Sequence, residues 1–251
     1  MLRLITIPVS HYCDKVRWGL ERAGLNYRED AHLQVFHYAA TLRAGGGVTA
    51  PVLVHDEGVL DDSCDILHWI DARLPEVGLY PSELRSEVTA LEERYDQDLG
   101  PSGRLFMYDK LLPHPELLAR YGCYGVPRWQ RASLKYFFPI AKRTIMMRLG
   151  VSPEAALEAR SIYLDVFDGV ERRLSDGRRF LTGNTLTAAD ITFGALAAPL
   201  VLPPEYGVPL PQPPELPKAM ALEVEACREH PAGQFALRLY REHRTDSNVV
   251  S

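Results

Sequence analysis

The stretch PVSHYCDKVRW, residues 8–18, lies where a short β-type run gives way to a helical pattern. Residues 2–7 are mainly apolar and lead into a proline, as expected for a strand that ends there. The following residues place apolar side chains at helical spacing, and Gly24 is suited to end that helix in the left-handed conformation. Ser10 and Cys13 are therefore expected at the start of a helix that follows a strand.

The alternation of strands and helices continues toward residue 80. A second strand is expected within residues 25–33, and the less regular segment after it stops at three consecutive glycines, residues 45–47. Residues 52–55 and 59–60 predict a β-hairpin, and residues 62–73 predict a helix. The predicted order is β-α-β-α-β-β-α.

Strand patterns stop after a short linker that contains proline and glycine. Beyond it the pattern is helical, and the expected helices are 82–112, 127–149, 153–174, 188–200 and 217–244. A proline-rich stretch, 199–217, predicts an extended connector on the surface. The sequence therefore predicts two domains, an α/β domain at 1–77 and an all-helical domain at 82–251.

Composition argues against several classes of partner. The net charge is -5 with no run of Lys or Arg, so no nucleic-acid partner is expected. No apolar run approaches the roughly 20 residues that span a bilayer, and the N-terminus lacks the features of a signal peptide, so we expect a cytoplasmic protein with no membrane partner. The four cysteines are scattered and the eight histidines are irregularly spaced, so no metal site is expected.

The element order, with a helix beginning after the first strand, is similar to a thioredoxin fold. In that fold the first helix begins with a C-x-x-C motif. Here Ser10 stands at the first cysteine position and only Cys13 is a thiol. A two-cysteine redox cycle at this position is therefore excluded.

Four motifs make a more specific resemblance, and they occur in the order SHYCDKVRWGL at 10–20, Ala50-Pro51 at the start of a predicted strand, DSCDI at 62–66 and LTAADI at 186–191. Across nearly its full length the chain resembles the glutathione transferases, in particular those that use a serine. The resemblance implies a thioredoxin-like N-terminal domain followed by an all-α helical-bundle C-terminal domain. It also implies a role for each motif.

By this resemblance Ser10 is the catalytic residue, because its hydroxyl would donate a hydrogen bond that stabilises the thiolate of glutathione. Ala50 and Pro51 would be joined by a cis peptide bond and would present backbone to the cysteinyl part of glutathione. Asp62 would pair with the γ-glutamyl ammonium, and Ser63 with the neighbouring carboxylate.

The same residues also have purely structural interpretations, which the sequence leaves open. Ser10, Asp62 and Ser63 all suit the N-terminus of a helix, and Asp61 competes with Asp62 as the carboxylate. Asp65 replaces the small residue usual in the family signature. In the fourth motif, Thr187 and Asp190 have the spacing of a helix-capping box, and we expect them to have a structural role only.

The function that these motifs imply is a glutathione transferase with glutathione as co-substrate, acting on a small hydrophobic electrophile. The resemblance also implies a homodimer, with the first domain of one chain against the helices of the other. One alternative is a glutathione-dependent thiol reductase or peroxidase that uses Cys13, although Cys13 also suits a small buried apolar position. The other is a non-enzymatic binding protein that keeps the fold. By position, the candidates to line the electrophile site are Tyr95, Phe106, Met107, Tyr108 and Tyr124.

Overall fold

A four-stranded mixed sheet organises the N-terminal part of the chain in the computed structural model, which describes residues 1–244. Its strands are β1 (Leu2–Thr6), β2 (Tyr27–Ala31), β3 (Val52–His55) and β4 (Gly58–Leu60), in the spatial order β2-β1-β3-β4. β1 runs parallel to β2 and antiparallel to β3, and β4 completes the hairpin with β3.

Three helices complete this domain: α1 (His11–Arg22), α2 (His37–Ala44) and α3 (Ser63–Arg73). α1 ends as predicted, since Gly24 has a φ of 65°. The segment whose structure the pattern left uncertain forms α2, and Gly45 ends it with a φ of 94°. The order β-α-β-α-β-β-α is confirmed, and with it the thioredoxin-like fold of this domain.

The rest of the described chain is helical. Its helices are α4 (Arg85–Arg94), α5 (Gly100–Leu111), α6 (Pro115–Tyr121), α7 (Arg128–Leu149), α8 (Pro153–Leu174), α9 (Ala188–Val201), α10 (Lys218–Glu229) and α11 (Pro231–His243). Every residue of α9 is buried, which explains why its sequence is apolar on all sides. Within residues 1–244, no helix combines the length and the apolar character needed to cross a membrane.

Residues Tyr95–Leu99 form a π-helical turn between α4 and α5, where the sequence predicts one uninterrupted helix. Pro101 lies in the first turn of α5 and has no amide hydrogen, so the regular hydrogen-bond ladder cannot continue through it. The wider turn carries Asp96, which lies beside α1. The interruption therefore shapes the boundary between the two domains.

The helix predicted over 217–244 is wrong in one respect, because the chain breaks it at Pro231. His230 has extended backbone angles, and its side chain accepts a hydrogen bond from the amide of Ala232. One residue thus ends α10 and caps α11. The short helix α6 was not predicted from the pattern.

The proline-rich stretch 199–217 is not the surface connector that its composition predicts. It begins inside α9, and the side chains of Tyr206 and Val208 are buried in the core. The hydroxyl of Tyr206 donates a hydrogen bond to the carbonyl of Val9 at 3.3 Å. Part of this stretch therefore packs against the chain segment that leads into α1.

The first turn of α9 is fixed by the capping residues that the sequence identifies. Asp190 accepts hydrogen bonds from the amide and the hydroxyl of Thr187, at 2.9 and 3.1 Å, and from the amide of Leu181 at 2.8 Å. Burial raises the pKa of Asp190 to about 6, although these hydrogen bonds oppose the shift.

A buried ion cluster joins α1 to the helical domain. The ammonium of Lys15, which is fully buried, lies 2.9 Å from a carboxylate oxygen of Glu92 and 3.1 Å from one of Asp96. Glu92 also accepts hydrogen bonds from the hydroxyls of Tyr80 and Thr192. Burial alone would raise the pKa of Glu92, but the Lys15 ammonium and the hydroxyl of Tyr80 hold it below its ordinary value.

We expect Asp190→Asn to flatten the dependence of stability on pH. The raised pKa means that the protonated carboxyl favours the folded state, so its contribution is fully present below the unfolded pKa of ~3.9 and is lost as pH rises through about 6. Urea unfolding between about pH 4 and pH 7 should show the wild type losing on the order of 2–3 kcal/mol more than the variant. Parallel stability profiles for the two proteins would contradict this assignment.

We expect Lys15→Met to lower the free energy of unfolding by about 3–5 kcal/mol, because it leaves the buried carboxylate of Glu92 without its cation. Adding Glu92→Gln should recover part of the loss, measured by urea unfolding. The control is Arg94→Met, which removes the exposed ion pair with Asp165 and should cost less than about 1 kcal/mol. Equal losses in the two single variants would contradict the role given to burial.

Candidate functional site

Ser10 is the N-cap residue of α1, with extended backbone angles. Its Oγ accepts a hydrogen bond from the amide of Cys13 at 3.4 Å. Within residues 1–244 no oxygen atom accepts a hydrogen bond from the Ser10 hydroxyl, which lies near the buried thiol of Cys13 and lowers the pKa of that thiol. Because a protonated thiol is a weak acceptor, the hydroxyl proton stays available to a ligand. The capping role and a donor role are therefore compatible in one side chain.

A cavity of about 280 Å³ adjoins Ser10. Its lining includes no aspartate or glutamate, but it includes the guanidinium groups of Arg104 and Arg148. Arg148 donates a hydrogen bond to the hydroxyl of Tyr38 at 2.7 Å, whereas Arg104 has neither an ion pair nor a hydrogen bond within the described residues. The positive potential of this cavity suits an anion.

His11 follows Ser10 and lines the same cavity. Its Nε2 lies 3.1 Å from the carbonyl oxygen of Gly100, and burial together with the charge of Arg104 lowers its pKa to about 3. The ring is therefore neutral, and Nε2–H donates to the carbonyl. His11 contributes no positive charge near neutral pH.

Tyr12 is anchored to the π-helical turn. Its hydroxyl donates to the carbonyl of Asp96 at 3.1 Å, and burial raises its pKa to about 12. A Cβ atom at Gly100 would overlap the Tyr12 hydroxyl, so only glycine fits there. Tyr12 is held as a neutral phenol whose proton is already in use.

Ala50 lies on the same cavity as Ser10, and the peptide bond between Ala50 and Pro51 is cis, as the resemblance implies. The segment before it is fixed by His37, whose Nε2 lies 3.2 Å from the carbonyl oxygen of Val48. Burial lowers the pKa of His37 to about 4, so this ring too is neutral and donates to the carbonyl. No sequence pattern identified this role of His37.

Asp62 and Ser63 begin α3 and lie outside the lining of the Ser10 cavity. One carboxylate oxygen of Asp62 caps the helix, accepting from the amides of Cys64 and Asp65 at 2.7 and 3.2 Å. Asp61 instead accepts from the amide of Gly47 at 2.8 Å and so ties down the glycine loop. The structure thus gives the two neighbouring carboxylates different tasks, which the sequence left open.

A second, apolar cavity of about 110 Å³ adjoins the first and shares Met107 and Tyr108 with it. Its walls come from α5, α6 and α7 and include Leu117, Phe137 and Phe138. Of the five positions proposed for the electrophile site, only Met107 and Tyr108 line these cavities. Tyr95 and Phe106 are buried core residues, and Tyr124 is exposed.

Sequence and structure comparisons bear on this arrangement. Residues 4–78 match the family model described as glutathione S-transferase, N-terminal domain, and residues 153–221 match the one described as glutathione S-transferase, C-terminal domain. The chain belongs to the glutathione S-transferase family. No curated protein sequence gives a significant match to it.

Solved glutathione transferases share the fold over almost the whole chain. A Rhodospirillum rubrum enzyme is 19% identical with a TM-score of 0.58, covering 98% of this chain and 100% of its own. A Phanerochaete chrysosporium enzyme is 15% identical with a TM-score of 0.64, covering 98% and 99%. A Methylobacterium radiotolerans enzyme in complex with glutathione sulfonate is 17% identical with a TM-score of 0.58, covering 100% and 97%.

In this member of the glutathione S-transferase family, the thiols of Cys13 and Cys64 are poorly placed for chemistry. Cys13 is fully buried behind Ser10, its Sγ accepts a hydrogen bond from the amide of Ile7, and burial raises its pKa. Cys64 donates to Asp96 and lies 3.1 Å from the Lys15 ammonium. Burial also raises the pKa of Cys64, so both thiols are protonated.

Cys64, Glu92 and Asp96 lie close enough together to hold a metal ion. The ammonium of Lys15 lies within 3.1 Å of all three groups. The cation of this cluster is therefore a lysine of the protein itself.

Proposed function

We propose that this family member is a glutathione transferase in which the Ser10 hydroxyl activates the thiol of glutathione for attack on a small hydrophobic electrophile. The observation that carries the proposal is the Ser10 hydroxyl itself. It lies at the N-terminus of α1, beside a cavity with positive lining, and its proton has no oxygen acceptor among the described residues.

The energy needed for activation is within reach of this arrangement. A free thiol with a pKa of ~8.5 is only a few per cent thiolate at pH 7, and the thiolate is the nucleophile. Lowering that pKa by about two units requires roughly 2.7 kcal/mol. One hydrogen bond to a charged sulfur contributes about 1.5–3 kcal/mol, and the positive end of the α1 dipole adds to it.

Arg104 supports the same step through its charge. It lines the cavity beside Ser10 and has no carboxylate partner within the described residues. Its charge already lowers the pKa of its neighbours His11 and Tyr12, against the effect of burial at Tyr12. A thiolate formed at Ser10 would benefit from the same field.

Glutathione would extend from Ser10 past Ala50 toward the start of α3. The backbone of Ala50 borders the cavity next to the cis peptide bond and would face the cysteinyl residue. At α3, Ser63 and the helix amides suit a carboxylate, and the second carboxylate oxygen of Asp62 suits an ammonium. The structural relative in complex with glutathione sulfonate supports glutathione as the thiol.

The apolar cavity between α5, α6 and α7 suits the electrophile. It adjoins the Ser10 cavity, and its lining is dominated by aliphatic and aromatic side chains. The alternative reductase, which needs an accessible thiol at Cys13, has less support because that thiol is fully buried.

We expect two variants to separate thiol activation from glutathione binding. Ser10→Ala should raise the pKa of bound glutathione by about one unit or more while affinity changes little. Ser63→Ala should weaken binding by about tenfold and leave the thiol pKa unchanged. Calorimetry measures the affinity, and ultraviolet thiolate absorbance against pH measures the pKa.

Ser10→Thr and Cys13→Ala are the matched controls for this experiment. Ser10→Thr keeps both the hydroxyl and the helix cap, so it should retain a lowered thiol pKa. Cys13→Ala should retain turnover with electrophiles. Loss of that turnover in Cys13→Ala would instead favour the reductase. No binding at millimolar glutathione would overturn the transferase and leave a non-enzymatic protein of this fold.

We expect Arg104→Gln to raise the pKa of bound glutathione by about one unit, because it removes an unpaired positive charge from the cavity. The control is Arg28→Gln, which changes an exposed arginine of β2 outside the cavity and should leave the thiol pKa unaltered. The same absorbance titration measures both. An unchanged pKa in Arg104→Gln would assign that residue to another task.

A further inference from the structure

Large apolar side chains are concentrated on the outer face of α7. Of the thirteen that are exposed within the described residues, six belong to this one helix. Trp129, Tyr136, Ile140 and Met147 are 62–70% exposed and follow one another at intervals of seven, four and seven residues. That spacing places them in a single stripe along the helix.

Positive charge accompanies this stripe. α7 carries six basic residues and no acidic residue, although the whole chain has a net charge of -5. None of the six forms an ion pair with any residue from 1 to 244. Arg148 lines the Ser10 cavity, and the other five lie outside it; they are Arg128, Arg131, Lys135, Lys142 and Arg143. Outside the Ser10 cavity, the outer face of α7 is therefore apolar along its stripe and carries five basic residues without ion pairs.

The inner face of α7 is committed to the fold. The side chain of Gln130 is buried and accepts a hydrogen bond from the amide of Leu33 at 2.9 Å. Ile145 is buried, and Leu134, Phe138 and Ala141 line the apolar cavity. A partner can therefore reach only one side of the helix and cannot enclose it.

We propose that the outer face of α7 docks on the surface of an anionic lipid bilayer, with the apolar stripe at the acyl boundary and the basic residues at the headgroups. A helix with an apolar stripe and basic flanks is suited to lie in that interface, where Trp and Tyr are favoured. This inference does not depend on the proposed enzymatic function.

Two other occupants fit the same face less well. A second copy of α7, paired through a two-fold axis, would bring like-charged basic side chains together. An acidic protein that recognises basic amphipathic helices usually encloses them in a groove, and the buried inner face prevents this. A flat anionic surface complements the positive charge of α7 and needs access to only one side of the helix.

The test is flotation of the full-length protein with two kinds of vesicle. One kind is phosphatidylcholine alone, and the other is an equal mixture of phosphatidylcholine and phosphatidylserine. We expect binding to the mixed vesicles only, weakening as salt is added. Fluorescence of Trp129 should shift to the blue on binding, and Trp129→Phe should abolish the shift. Of the other two tryptophans, Trp18 is buried, and Trp69 is half-buried in α3 beneath the guanidinium of Arg73, away from the proposed docking face.

Paired variants test the two components of the face. Lys135→Gln/Arg143→Gln should lower partition onto mixed vesicles by about tenfold or more, and Ile140→Glu/Met147→Glu should abolish it. The matched controls, Arg28→Gln/Lys218→Gln and Leu157→Glu/Leu222→Glu, change exposed residues elsewhere and should bind like the wild type.

Three results would overturn the proposal. The first is failure of the wild-type protein to float with the mixed vesicles at low salt. The second is equal binding to both kinds of vesicle, or equal losses in the α7 variants and their controls. The third is sedimentation of the wild type as an oligomer that the α7 variants dissociate, without lipid binding, which would make the face a contact between copies of the chain.

Discussion

Buried charge on α1 is the constraint on which the arrangement of the two domains depends. Asp14, Lys15 and Arg17 are each no more than 1% exposed. Taking an ion out of water costs several kcal/mol unless partners replace the water. For Lys15 these partners come from α4 and the π-helical turn, and for Asp14 they include Tyr240 and Arg244 near the end of the described chain. α1 can therefore be buried only when the helical domain is docked against it.

The candidate site inherits this constraint because it lies at the first turn of the same helix. The side chains of His11 and Tyr12 donate hydrogen bonds to the carbonyls of Gly100 and Asp96. The packing of the helical domain against α1, which gives Lys15 its carboxylate partners, therefore also positions the two residues that follow Ser10. Arg104 reaches the cavity from α5 one turn further along. The chemistry proposed for Ser10 would thus depend on both domains, although Ser10 itself belongs to the first.

α7 shows how one helix can serve two surfaces. Its inner face walls the apolar cavity, while its outer face carries uncompensated positive charge and exposed aromatic side chains. An overall net charge of -5 conceals this, because composition averages a basic helix with an acidic remainder. Burial decides which residues of α7 face outward, and the sequence pattern alone did not identify that surface.

Local signals in the sequence determined the element order, the cap at Ser10, the cis bond before Pro51 through family resemblance, and the capping pair Thr187 and Asp190. Such features depend on residues near one another in the chain. The tertiary structure alone decided that Asp61 ties the glycine loop while Asp62 caps α3, and that Arg104 lines the same cavity as Ser10. These outcomes depend on packing between distant segments, which no spacing along the chain records.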